Sequence, residues 1–247
     1  IDRVSALEYN NTETLLIIVD ANNMAILESP ELAKNSFKKV IIDHHIKKEE
    51  FEDEPEFAYI DPSASSACEL IAEMLEEFLP PEISFKEEAN IMMSGIMLDT
   101  KNFVINTGVR TFEAAANLRK KAADTVTVRS MFSSSIDTYK DKHKIVAKAQ
   151  VVNHCAISTV DGVVKNARLL SAQAADEMLT IEDVYASFVI SQIDAKNVNI
   201  SARSYGKINV QLILEKLERK NNRTKRKHSR NKHKPFRFDK LPLSGAG

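Results

Sequence analysis

"KKVIIDHHIKK", residues 38–48, sets an acid and two histidines directly after a run of β-branched apolar residues. A short, continuous apolar run closed by polar groups reads as a strand buried on both faces of a parallel sheet. "TLLIIVD", residues 14–20, has the same form and ends in Asp20. The segment between the two runs has a helix-compatible length, so a right-handed βαβ crossover is the economical connection. Ligands of open α/β sheets collect beyond the carboxyl ends of parallel strands, and two such ends here carry Asp20 and Asp43-His44-His45. The expected fold class is α/β, with a Rossmann-like parallel sheet.

After "YIDPSAS" comes "SACELIAEMLEEFL", a helix with Leu70, Ile71, Met74, Leu75 and Phe78 on one face, Ser65 or Ser66 as its N-cap and Pro80-Pro81 as its stop. "SFKEEANIMMSGIMLDTKNF" is apolar almost all round near its end, which predicts burial against the sheet. "TFEAAANLRKKAA" and "DKHKIVAKAQVV" are further helical patterns, and the serines of 129–137 suggest a domain end. Beyond it the grammar changes. "CAISTVDG", a helical "VKNARLLSAQAADEML", then "VYASFVISQI" and "NVNISARSYG" paired around "DAKN" predict a smaller α+β domain. The expected boundaries are 1–132, 133–217 and a tail of 218–247 without periodicity, which should be disordered on its own.

The net charge of −1 conceals a split: Glu218–Lys240 holds 11 of the 34 basic residues and two of the 35 acidic ones, leaving the rest of the chain strongly acidic. The plain reading of the tail is a solvated charged end. Attachment to nucleic acid phosphates, with Phe236 and Phe238 stacking on bases, is the less favoured one. Cys68 and Cys155 form no metal or disulfide spacing and read as core residues of a reducing compartment. The apolar runs fall short of the roughly 20 residues that span a bilayer, so this portion is expected to be soluble. The chain starts with Ile and shows no signal-peptide series, as an internal piece of a longer protein does.

Asp and neutral imidazole suit manganese, zinc or iron. Asp99, in the apolar company of "IMLDT", is a third isolated acid, and an unpaired acid in such surroundings calls for a cation. Taken singly, Asp20 and Asp99 also read as N-caps or turn formers, and His44 and His45 as an ordinary exposed pair. Their shared Rossmann-like context is what raises the reading of a site.

"VIIDHH" carries the name-giving motif of the DHH phosphoesterases, and "LLIIVDANN", "IDPSASSACELI" and "GIMLDTKNF" follow that family's order. The second domain, with "FVISQIDAKNVNISARSYGKINVQLILEKL", resembles the start of the accompanying DHHA1 domain. Within the family the strings "ESPEL", "DHH", "ASSACEL" and "VRTFEAA", at 28–32, 43–45, 64–70 and 109–115, are similar to those of GdpP-type cyclic di-AMP phosphodiesterases. The resemblance covers residues 1 to about 217. It implies metal ligands at Asp20, His44 and Asp99, a phosphate-facing His45 and an Asp43 that orients the histidines. It further implies two Mn²⁺ ions and a water-driven conversion of cyclic di-AMP to linear pApA. Arg203 and Ser204 of "SARS" are the candidates for holding the nucleotide, with Arg110 a weaker one. Arg203 reads equally as a strand-end charge in solvent.

Sibling activities on the same fold, oligonucleotide exonuclease or pyrophosphatase, stay open as alternatives, as does a non-catalytic nucleotide- or nucleic-acid-binding module. A homodimer is also left open. The resemblance further implies an upstream membrane anchor, placing this portion on its cytoplasmic side. Two family features are missing from the text: a leading His-x-x-x-Asp-x-Asp motif, and a Gly-Gly-Gly-His loop after "LILEKL", where "ERKNNRTKRKH" stands. The expectation is therefore a chain that is inactive alone, with a frameshifted or recombined reading frame as one origin of the basic tail.

Overall fold

A computed structural model describes residues 1–46, 54–80, 82–162, 164, 166–194 and 197–217. The expectations for the 218–247 tail lie outside these residues. The chain divides into two compact units, Ile1–Ser133 and Ser134–Gly247.

The first unit begins with helix α1 (Arg3–Glu8), whose orphan N–H groups at Val4 and Ser5 are capped by the Asp2 carboxylate. Strands β1 (Leu15–Val19), β2 (Lys38–Asp43) and β3 (Phe57–Ile60) form a parallel sheet in the order β1-β2-β3. The short helix α2 (Pro30–Asn35) connects the first two, with Pro30 opening the helix and Ser29 as its cap. Ile18, Ala33 and Ile41 pack on one face of the sheet; Ile42, Ala64 and Leu70 pack on the other. β3 has no counterpart in the sequence reading: four residues are too short for a period-2 pattern to register.

Burial on both faces holds for Ile41 and Ile42 of the central β2, not for β1. Leu15, Ile17 and Val19 are about half exposed, because among the described residues β1 pairs only with β2 and the helix on that face covers Val40, Ile42 and Tyr59. That helix is α3 (Ala67–Phe78), capped by Ser66 Oγ accepting from Glu69 N. Its last residue, Phe78, is exposed instead of buried, since contact with the core ends at Leu75.

Helix α4 (Lys86–Asp99) packs chiefly against α3, α5 (Val109–Lys120) and α6 (Thr125–Met131), which corrects the expectation that it lies on the sheet. Met92, Met93 and Ile96 meet Ala72, Ala114, Leu118 and Val128 in this helical core, while Ile91 and Leu98 face outward.

Arg110, at the start of α5, ties three elements together. Nε and Nη2 donate to Glu73 at 2.8 and 2.7 Å, Nη1 donates to Asp61 at 2.7 Å and to Ser63 at 3.2 Å, and Nη2 also reaches Tyr59 Oη at 3.5 Å. The loop after β3 is pinned from below as well. Glu69, almost fully buried, accepts from Ser65 N at 3.2 Å and from Ser65 Oγ at 2.5 Å.

In the second unit α7 (Ile136–Ala147) precedes a four-stranded sheet in the order β4-β5-β6-β7, formed by β4 (Gln150–Val152), β5 (Cys155–Thr159), β6 (Ala186–Gln192) and β7 (Val198–Ser204). The helical reading of "DKHKIVAKAQVV" therefore runs too far. Val152 pairs antiparallel with Cys155 across Asn153-His154, both at positive φ, the backbone that a two-residue hairpin turn requires. Helix α8 (Ala167–Met178) carries the chain from β5 to its parallel neighbour β6, burying Leu170, Ala174, Ala175 and Met178. β6 and β7 pair antiparallel around the "DAKN" turn as the alternation predicts; Ala195 and Lys196 of that turn lie outside the described residues.

Two outcomes follow from this packing. Ile96→Ala leaves a cavity in the helical core and should cost about 2–5 kcal/mol by urea unfolding; a loss below about 1 kcal/mol would contradict the packing. The Ser63 hydroxyl and then Arg110 hold the Asp61 carboxyl down at about 2. Its contribution is thus complete above the ordinary carboxylate range and is lost as pH falls from about 4 towards 2. Asp61→Asn should flatten the fall of Tm over that window, and an unchanged acid profile would refute the assignment.

Candidate metal centre

The parallel register sets the site. Val19 stands opposite Ile42, and one step further Asp20 N donates to Ile42 O at 3.0 Å, so β1 and β2 end side by side. Asp20 takes a left-handed backbone with φ 60°, which Asp tolerates better than most residues. Its carboxylate is half exposed beyond the sheet.

At the end of β2, Asp43 is fully buried, and its Oδ1 accepts from His44 N at 2.8 Å, His45 N at 3.2 Å and His45 Nδ1 at 2.8 Å. One carboxylate oxygen thus folds the chain into a tight turn and fixes a ring. With Nδ1 donating to Asp43, the free nitrogen of His45 is Nε2. Among the described residues Asp43 Oδ2 is buried without a hydrogen-bond partner. Asn22 Nδ2 donates to His45 O at 2.9 Å and holds the turn from the β1 side.

His44 is oriented differently. Its Nδ1 faces Ala64 O at 3.4 Å, and a carbonyl only accepts, so Nδ1 carries the proton and Nε2 the lone pair. Metal-binding histidines are commonly held in this way by a backbone carbonyl. That lone pair lies 3.4 Å from Asp20 Oδ1 and 3.9 Å from Asp99 Oδ2, the latter on the last residue of α4. Two ligand atoms that each sit about 2.1 Å from one small divalent ion are at most about 4.2 Å apart, so both pairs fit a shared ion. Burial and then the charge of Asp20 raise the Asp99 carboxyl above its ordinary range. A cation among these carboxylates would reverse that effect.

Asp20, His44 and His45 also form a cluster with one ligand atom of each within 4.8 Å. His45 Nδ1 is committed to Asp43 Oδ1, and the His45 ring lies 4.3 Å from that of His44, while among the described residues Asp99 approaches the cluster through His44 alone. The Cys68 thiol is pushed up to about 11 by burial and then by Asp99 and Asp20, so it is protonated and poorly nucleophilic.

The structure therefore brings Asp20, Asp43, His44, His45 and Asp99 together. It gives Arg110 a structural setting: each of its five N–H donors has an acceptor within the protein. Arg203 and Ser204 stand in β7 of the second unit. Arg203 Nε donates to Asp176 at 3.1 Å and Nη1 to Ala202 O at 2.9 Å, while Ser204 Oγ accepts from Gly206 N and Ile208 N. The sequence reading missed Asn22 and the carbonyl of Ala64. No side-chain pattern announces a backbone carbonyl as the partner of a histidine.

Residues 2–96 match the DHH family, N-terminal domain. The chain is 41% identical over 213 residues to the cyclic-di-AMP phosphodiesterase PdeA of Listeria monocytogenes, covering 86% of this chain and 32% of that protein. It is 41% identical over 214 residues to the cyclic-di-AMP phosphodiesterase GdpP of Geobacillus thermodenitrificans, with the same coverages. The chain thus spans about a third of the length of these curated relatives. An exopolyphosphatase-related protein from Bacteroides fragilis shares the fold, with a TM-score of 0.67 and 23% identity over 78% of this chain and 59% of that one. Residues 2–96 thus match the DHH-family N-terminal domain, in a chain that over most of its length is similar to cyclic-di-AMP phosphodiesterases.

Proposed function

We propose that this chain contributes the DHH centre of a divalent-metal-dependent phosphodiesterase that hydrolyses cyclic di-AMP to linear pApA. The observation that carries the reading is the convergence of Asp20 and Asp99 on the Nε2 lone pair of His44. Two carboxylates and an imidazole form a donor set suited to Mn²⁺, and three ligands leave positions open for substrate and water. An ion held there supplies Lewis acidity at the phosphate and lowers the pKa of water.

The protein's own residues do the rest. Asp43 holds His45 so that Nε2 faces the phosphate, where it steadies the developing charge and serves proton transfer. Water adds its oxygen to phosphorus, the bond to the 3′ oxygen breaks, and that oxygen takes up a proton. Arg203 offers a guanidinium for a substrate phosphate, anchored on one side by Asp176. No helix among the described residues is long and apolar enough to cross a membrane. The reading places the chain within a longer protein, on the cytoplasmic side of a membrane anchor, with little turnover by the chain alone.

Calorimetry with Mn²⁺ separates the assigned roles. Asp20→Ala and His44→Ala should each weaken binding by at least about tenfold, the scale of losing even a residue that only supports a ligand. His45→Ala should keep the wild-type affinity. Equal losses in all three variants would reject the division between ligands and phosphate-facing residue.

A chromatographic assay on the protein that contains this chain, with cyclic di-AMP and Mn²⁺, should show pApA formation that a chelator abolishes. His45→Ala should lower it about 10²–10⁴-fold, the range of acid–base catalysis. Turnover of pyrophosphate offered as a separate substrate, with no pApA formed from cyclic di-AMP, would reject the substrate.

A further inference from the structure

The contact between α3 and α4 beside the metal centre is closer than ordinary side chains allow. A Cβ built on Gly95 would lie 2.4 Å from Cys68 Sγ and 3.3 Å from Cys68 Cβ. Ordinary contact between such atoms is about 3.5–4.0 Å, so any side chain at 95 must part the helices by roughly 1 Å or push the thiol aside. The thiol is partly buried where α3 packs on the α4 core.

Asp99 is four residues beyond Gly95 on the same helix, and positions four apart share one face. The face that Gly95 turns to Cys68 is therefore the face that carries Asp99 to His44. The 3.9 Å between His44 Nε2 and Asp99 Oδ2 leaves little slack below the limit of about 4.2 Å for sharing one ion. Outward movement of α4 by roughly 1 Å exceeds that slack.

Resting on the metal-centre reading above, we infer that Gly95 is a positioning residue: its lack of a side chain lets α4 seat on Cys68 closely enough for Asp99 to share an ion with His44. Glycine at position 95 thus serves the reach of a ligand rather than the helix itself, where Gly is unfavourable relative to Ala. Cys68 sets the spacing as a packing atom, with no part for its thiol chemistry.

The test is Mn²⁺ calorimetry on the whole chain, with Tm measured for each variant. Gly95→Ala should bind Mn²⁺ about tenfold or more weakly, on the scale of lost ligand support. Adding Cys68→Ala, which deletes the sulfur at 2.4 Å, should restore affinity. In an Asp99→Ala background, Gly95→Ala should cause no further loss, an outcome that general loosening of the core does not produce. Wild-type affinity in Gly95→Ala, or full additivity with Asp99→Ala, overturns the inference. Should Gly95→Ala fail to fold, the double variant with Cys68→Ala decides: wild-type binding supports the inference and a tenfold loss overturns it. If the unsubstituted chain itself binds no Mn²⁺, the failure belongs to the metal-centre reading.

Discussion

One backbone hydrogen bond, from Asp20 N to Ile42 O, fixes where everything else in the site can be. It extends the β1–β2 ladder one residue past the last strand pair, so Asp20 and the Asp43-His44-His45 turn leave the sheet together. A register slip of one residue would turn Asp20 to the opposite face of the sheet. The left-handed backbone at Asp20 is what bends the chain away at that point and leaves its carboxylate in reach of His44.

Around that fixed corner, the surrounding groups each hold one degree of freedom. Asp43 shapes the turn and the His45 ring through a single oxygen. The Ala64 carbonyl chooses the His44 tautomer, and the loop bearing it is held by Glu69 from beneath and by Arg110 from the side. Asp99 arrives from a different layer, on a helix whose seat depends on a glycine. The supporting groups are thus mostly backbone or buried charge, while the groups able to meet an ion are few and partly open to solvent.

Much of the first unit was legible because its signals are strong. Apolar runs that end in Asp20 and Asp43 have one economical reading as parallel strands, and the pair Ser65-Ser66 offers the N-cap of α3, which the structure gives to Ser66. What escaped was set by tertiary context. β3 is too short to show a period, α4 is apolar enough to suit either a sheet or a helical core, and Arg110 looks the same in sequence whether its donors face a phosphate or Glu73 and Asp61. Val151 and Val152 continued a helical pattern that the Asn153-His154 turn redirected into a hairpin. The close seat of Gly95 on Cys68 is likewise invisible in sequence, since the two residues meet only once the helices pack.

The central claim is that Asp20, His44 and Asp99 hold one divalent ion between them. Anomalous diffraction at the manganese edge, from crystals of this chain grown with Mn²⁺, tests it most directly. The account predicts a single strong peak about 2.1 Å from His44 Nε2 and from a carboxylate oxygen of each of Asp20 and Asp99, the ordinary reach of a small divalent ion. A peak at His45 or Asp43 with Asp99 turned away, or no peak at all with Mn²⁺ in excess, would contradict it.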